Sequence, residues 1–123
     1  MRKISWRHVY AGLLSAFFVL GGTLNIFASP AVLADYSRWG FPDWFHIVTG
    51  LLEWTSALLM LSPALRLVGC ALAGAVMTSA ALTVVLHGEY PHAIPPVIVL
   101  VLLCLNAWMT WRARRSKGFS PAG

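Results

Sequence analysis

Four long runs of this chain are almost free of formal charge, and that constrains its fold more than any other feature. Residues 8–28 carry no Asp, Glu, Lys or Arg. Residues 43–63 hold only Asp43 and Glu53, residues 66–87 only Arg66, and residues 94–112 only Arg112. About 20 apolar residues cross the hydrocarbon core of a bilayer, and each run has that length. Charged residues make up 11% of the chain and apolar ones 59%, against roughly 25% charged in soluble domains. A water-soluble fold of 123 residues would have to expose much of that apolar surface. Lipid is the simpler solvent, and the expected fold is all-α: a single domain of four transmembrane helices over residues 1–115, running up-down-up-down.

Each run ends where helix geometry fails or water is invited. Ser29-Pro30 closes the first, because proline disfavours the helical region at the residue before it. The segment 31–42, with Asp35, Tyr36, Arg38 and Trp39, reads as a polar, aromatic loop. Asp43 suits the start of the second helix, where free amides and the helix dipole favour a carboxylate, and Pro63 stops that helix. The Ala64-Leu65-Arg66 link is short enough to force segments two and three into an antiparallel hairpin. Residues 87–92 form another polar loop, and Pro95-Pro96 fit the first turn of the fourth helix, whose amides lack helical partners. The tail 116–123 is expected to be disordered. A basic start, an apolar run and Val32-Leu33-Ala34 before Asp35 also fit a cleaved signal peptide. The run exceeds the roughly 7–15 residues of a signal core, so it is expected to remain as a span.

Orientation follows from the basic residues. Arg2, Lys3, Arg7, Arg66, Arg112, Arg114, Arg115 and Lys117 fall on one side of a four-span chain, and Arg38 on the other. By the positive-inside rule the first side is cytoplasmic, so both termini are expected there; the membrane itself is expected to be the cell membrane, a bacterial inner membrane. The net charge of +5 belongs to this topology signal. It lies at chain ends and in one turn, not along a helix face, which argues against nucleic acid. Cys70 and Cys104 lie in apolar segments without metal-ligand spacing and read as packing residues. The third segment is rich in small residues, among them Gly69, Ala71, Ala73, Gly74 and Ala75. Small residues let helices approach closely in lipid, so this segment is expected to be the most buried.

Glu53 is the most informative residue. A charge at mid-bilayer costs roughly 2.5–3.5 kcal/mol on insertion scales, so Glu53 should face the bundle interior. It has two readings: a ligand or proton site, or a helix–helix hydrogen bond to Asn25, Thr78, Ser79 or Asn106. His46 and Gly50 share its helix face, making a row from the outer surface to mid-membrane. Asn25 and His87 close the outer ends of segments one and three. The candidate ligand site is therefore His46, Gly50, Glu53, Asn25 and His87. No catalytic motif, phosphate loop or metal-ligand spacing is present, so neither catalytic residues nor a metal are expected.

The run Gly40-Phe41-Pro42-Asp43-Trp44-Phe45, then Gly50-Leu51-Leu52-Glu53 and Leu61-Ser62-Pro63, resembles the DoxX-like family of small four-helix membrane proteins. The stretch from Met77 to Ala81 and Gly88-Glu89 is also similar, and the resemblance covers residues 10–112. Two positions depart from the family pattern: Asn25 stands where a lysine is common, and Thr83 is followed by Val84 rather than histidine. The resemblance implies a membrane location and association with membrane oxidoreductase complexes, but no defined activity. Three functions stand open. The first is a non-catalytic subunit or assembly partner of a membrane complex, possibly redox. The second is a binder of a small amphipathic ligand such as a quinone through Glu53 and His46. The third, less favoured for want of inverted repeats or broken helices, is a transporter or proton-conducting subunit. The expected partners are the lipid bilayer and other membrane proteins.

Overall fold

A computed structural model describes residues 6–118, without the side chains of 116–118, and every regular element within it is helical. The order is α1 (Trp6–Ile26), α2 (Pro30–Arg38), α3 (Phe45–Leu61), α4 (Arg66–Leu86), a 3₁₀ turn (Tyr90–Ala93) and α5 (Ile94–Gly118). Helices α1, α4 and α5 are long and apolar enough to cross a membrane; α3 is apolar but shorter, at 17 residues. Residues 116–118 of the expected disordered tail continue α5. Residues 119–123, like the topology signals Arg2 and Lys3, lie outside the described residues.

The expected loop 31–42 contains a helix. Helix α1 already ends at Ile26, and Pro30, expected to close it, instead starts α2, because its fixed φ suits the first helical turn. Ser29 caps that turn, its side chain accepting from the Val32 amide at 3.3 Å. The helix then closes with a Schellman motif: the Gly40 amide donates to Ser37 and the Phe41 amide to Tyr36. Gly40 takes φ 82° there, a conformation cheap only for glycine. Helix α4 ends the same way at Gly88, φ 73°, with Glu89 donating to the Val84 carbonyl.

These two helix ends meet. Arg38 donates to both oxygens of Glu89, at 2.7 and 3.1 Å, and to Asp35 at 2.9 Å. Trp39 Nε1 donates to Glu89 Oε2 at 2.9 Å. The clasp ties α2 to the α4–α5 connection across 51 residues of sequence. At the other end of the molecule, Arg66 reaches back to the Met60 carbonyl at 2.7 Å, and Arg114 donates to Pro63 and Ala64. The start of α4, the end of α3 and the end of α5 therefore lie together.

Four helices share one core: Leu14 and Phe18 from α1, Ala57 and Met60 from α3, Cys70 and Ala73 from α4, Val99 and Leu103 from α5. The closest pairing is α1 on α3. A Cβ on Gly50 would sit 2.6 Å from the Gly22 carbonyl oxygen, and one on Gly22 would sit 2.7 Å from the Gly50 oxygen. Backbones this close leave no room for a side chain. The small-residue segment, α4, is not the most buried: its apolar window is 22% buried against 28% for α1. Its Gly69, Cys70 and Ala73 face inward, but Ala71, Ala75, Thr78 and Ser79 are exposed. Burial went instead to the helix whose glycines meet a facing glycine.

Two outcomes test this architecture. Gly50→Leu should destabilise the fold by about 1–3 kcal/mol or more, the range for overpacking, read as loss of a monodisperse detergent-solubilised peak. The second concerns Glu89, whose carboxyl is held down to about 2 by the hydrogen bonds from Arg38 and Trp39. Its folded value lies below its unfolded one, so its stabilisation is full above the unfolded value and fades as pH falls toward 2. The melting temperature of wild type should approach that of Glu89→Gln between about pH 4.5 and 2, and a constant gap across that window would contradict the clasp.

Candidate functional site

Glu53 is the middle residue of α3 and is 5% exposed. It is buried because α1 presents glycines opposite it: its Oε2 lies against Gly21, where a Cβ would collide with it. Its other oxygen, Oε1, accepts from Asn25 Nδ2 at 2.8 Å. The Asn25 amide therefore spans two helices, and it also donates to the Gly21 carbonyl at 3.2 Å. A buried carboxyl without a partner costs several kcal/mol, and Asn25 is the partner the fold supplies.

The chain of hydrogen bonds continues outward. Tyr36 of α2 donates its hydroxyl proton to Asn25 Oδ1 at 2.8 Å. His46 Nδ1 lies 2.7 Å from the Asn25 backbone carbonyl. Asn25 thus uses its side-chain oxygen, side-chain nitrogen and backbone carbonyl to join α1, α2 and α3. Burial raises the Tyr36 phenol above its ordinary value, so at neutral pH it stays protonated and keeps donating.

Aromatic rings roof this network. Tyr36 packs against Trp39, Phe41, Phe45 and His46 with centroids 5.7–6.3 Å apart. Phe41 and Phe45 stack at 4.5 Å, nearly parallel. Next to Glu53 on α3, Trp54 Nε1 donates to the Val19 carbonyl at 3.1 Å, a second polar tie between α3 and α1. The arrangement orients the Tyr36 hydroxyl proton toward Asn25 and the Asn25 amide toward Glu53, and it leaves a cluster of aromatic rings beside that line.

Four of the five sequence candidates come together. His46, Gly50 and Glu53 line the α3 face that meets Asn25 of α1. His87 does not join them: it is exposed, and its Nδ1 lies 2.8 Å from the Thr83 carbonyl of its own helix. Tyr36 joins them from α2, a segment whose sequence reads as a loop and so offers no site residue. The signal for it was the density of aromatic residues around it, which a solvated loop does not need. Asn106, an alternative partner for Glu53, instead donates to Cys70 Sγ at 3.4 Å and Met60 Sδ at 3.7 Å. Cys70 is buried and Cys104 exposed, both as free thiols.

A model of the DoxX-like family matches residues 9–106. No curated protein and no solved structure matches the chain. The family match and the long apolar helices together make this a multi-pass membrane protein. Of the matched positions, Asn25, Tyr36, His46 and Glu53 are those the fold gathers into one network.

A double-mutant cycle measures the central contact. Asn25→Leu and Glu53→Leu together should destabilise less than the sum of the two alone, with a coupling of about 0.6–1.7 kcal/mol, the range for hydrogen bonds between membrane helices. Additive effects, measured by denaturation in mixed micelles, would mean that the bond contributes nothing.

Proposed function

We propose, for a chain that belongs to the DoxX-like family, a non-catalytic role as a subunit or assembly partner of a membrane complex. In this reading the protein crosses a bacterial inner membrane four times, with both termini in the cytoplasm. Helix α3 is the fourth span. Its 17 residues give about 26 Å at ~1.5 Å rise per residue, at the short end of what a bilayer accepts. The positive-inside rule supports the orientation: Arg7, Arg66, Arg112, Arg114 and Arg115 belong to one end, Arg38 to the other. Arg112 and Arg115 lie over the Trp108 and Trp111 rings at 5.2 and 5.1 Å, an interfacial pairing of aromatic and cation.

One observation carries the partner role. The middle of α4, between the exposed Val68 and Leu82, exposes only the small side chains Ala71, Ala75, Thr78 and Ser79, where the middles of the other long helices expose Leu, Phe and Val. Small residues with hydroxyls at mid-membrane invite another helix, because they allow close approach and interhelical hydrogen bonds. Glu53 supports the same reading, since Asn25 and Gly21 already occupy its surroundings.

A second reading has its own observation. The Tyr36, Phe41, Phe45 and His46 rings stand beside the Asn25–Glu53 pair at the outer end of α3. Such a rim suits a flat amphipathic molecule, of which a quinone is one class, with Glu53 and His46 as polar contacts.

Native mass spectrometry of the protein gently extracted from its own membrane separates the two. A stoichiometric partner chain, kept by Glu53→Gln and lost in Ala71→Leu/Ala75→Leu, is the expected result. A small-molecule adduct lost in Glu53→Gln, with no partner chain, would replace the first reading by the second.

A further inference from the structure

The end of the molecule opposite the Glu53 network's outer rim holds a cavity of about 210 Å³ lined by Arg7, Arg66, Arg114, Thr110 and Pro63. Three guanidinium groups of like charge surround one space: Arg114 is exposed and Arg7 half-buried, but Arg66 is 2% exposed. Removing a guanidinium from water without a counter-charge is among the costliest burials a protein makes. The chain has four acidic side chains, and none is near. Asp35 and Glu89 are engaged by Arg38 at the far end, and Asp43 precedes α3 there. Glu53 lies seven residues before Met60, about 10 Å along the helix, and is bound to Asn25.

Arg66 and Arg114 are held chiefly by backbone carbonyls instead. Arg66 donates to the Met60 and Leu61 carbonyls at 2.7 and 3.4 Å and lies 3.0 Å from His8 Nδ1. Arg114 donates through one nitrogen to the carbonyls of Pro63 and Ala64, both at 2.6 Å. Carbonyls at the end of α3 carry only partial negative charge. They orient the guanidinium groups without neutralising them, and a guanidinium has five N–H donors, so both retain donors for a further acceptor. Preoriented guanidinium forks match the geometry of phosphate oxygens.

We propose that this cavity binds a phosphate group through Arg7, Arg66 and Arg114. The group is either the phosphodiester of an anionic lipid headgroup or free inorganic phosphate. Basic pockets between membrane helices at the cytoplasmic face take anionic headgroups in this way. The site is independent of the Glu53 network and of any partner on α4.

The test uses the full chain, delipidated in detergent and titrated with phosphatidylglycerol, phosphatidylcholine or inorganic phosphate, with adducts read by native mass spectrometry. Phosphatidylglycerol should be retained over phosphatidylcholine, and Arg7→Gln should weaken it roughly tenfold. Arg7 carries this test because Arg66→Gln removes carbonyl bonds that the fold itself uses. Arg112→Gln, which adds a lost charge at the same end but does not line the cavity, should leave retention unchanged. Inorganic phosphate that binds alone and displaces the lipid would assign the site to the free anion; phosphate without effect would assign it to the headgroup. Equal retention of both lipids with no phosphate adduct overturns the proposal, as does an equal loss in Arg7→Gln and Arg112→Gln.

Discussion

The close approach of α1 and α3 is the contact on which the rest of the structure depends. Helices in lipid gain little by hiding apolar surface from one another, so they associate where packing is tight and polar groups find partners. Gly22 and Gly50 bring the two backbones within contact distance. That closeness lets Asn25 reach Glu53 and lets Gly21 cover the remaining carboxyl oxygen. With a larger residue at either glycine, the mid-helix carboxyl would face lipid without a partner.

From that contact, polarity is distributed along the molecule in three tiers. The outer tier is the Arg38–Glu89–Trp39 clasp, open to water and held by charge. The middle tier is the Tyr36–Asn25–Glu53 line, neutral donors leading inward to one acidic group. The tier at the opposite end is the arginine cluster, where Arg66 and Arg114 donate to backbone carbonyls and Arg66 lies beside His8. Between tiers the core is carried by side chains without charge. The first two tiers are satisfied within the chain. The third lacks a carboxylate among the described residues, and the proposed phosphate group is its complement.

Much of the helical plan was legible in the sequence, and the parts that were not share a cause. Proline read as a stop at residue 30 is instead a start, and only the Ser29 cap and the Gly40 closure reveal the helix between them. The count of small residues in α4 was legible, but which of them turn inward was not. Small residues permit contact without directing it, so α4 spends Gly69 and Ala73 on the core and leaves Ala71 and Ala75 outside. His87 and His46 look alike as outer-end histidines. One caps its own helix and the other reaches across to α1, a difference set by helix rotation.

The sequence by itself determined that this chain is helical and apolar along four runs, that its breaks fall at prolines and glycines, and that Glu53 requires an interior partner. These follow from local geometry and from the cost of charge in hydrocarbon, both readable residue by residue. The tertiary structure decided which residue that partner is. Asn25, Thr78, Ser79 and Asn106 were equal candidates until the glycines of α1 and α3 chose the neighbouring helix. It also decided that Tyr36 joins the network and that three arginines, 48 residues apart between Arg66 and Arg114 and 59 between Arg7 and Arg66, share one cavity. Such meetings depend on the rotation and crossing of helices, which arise from packing across the whole bundle and leave no local mark in the chain.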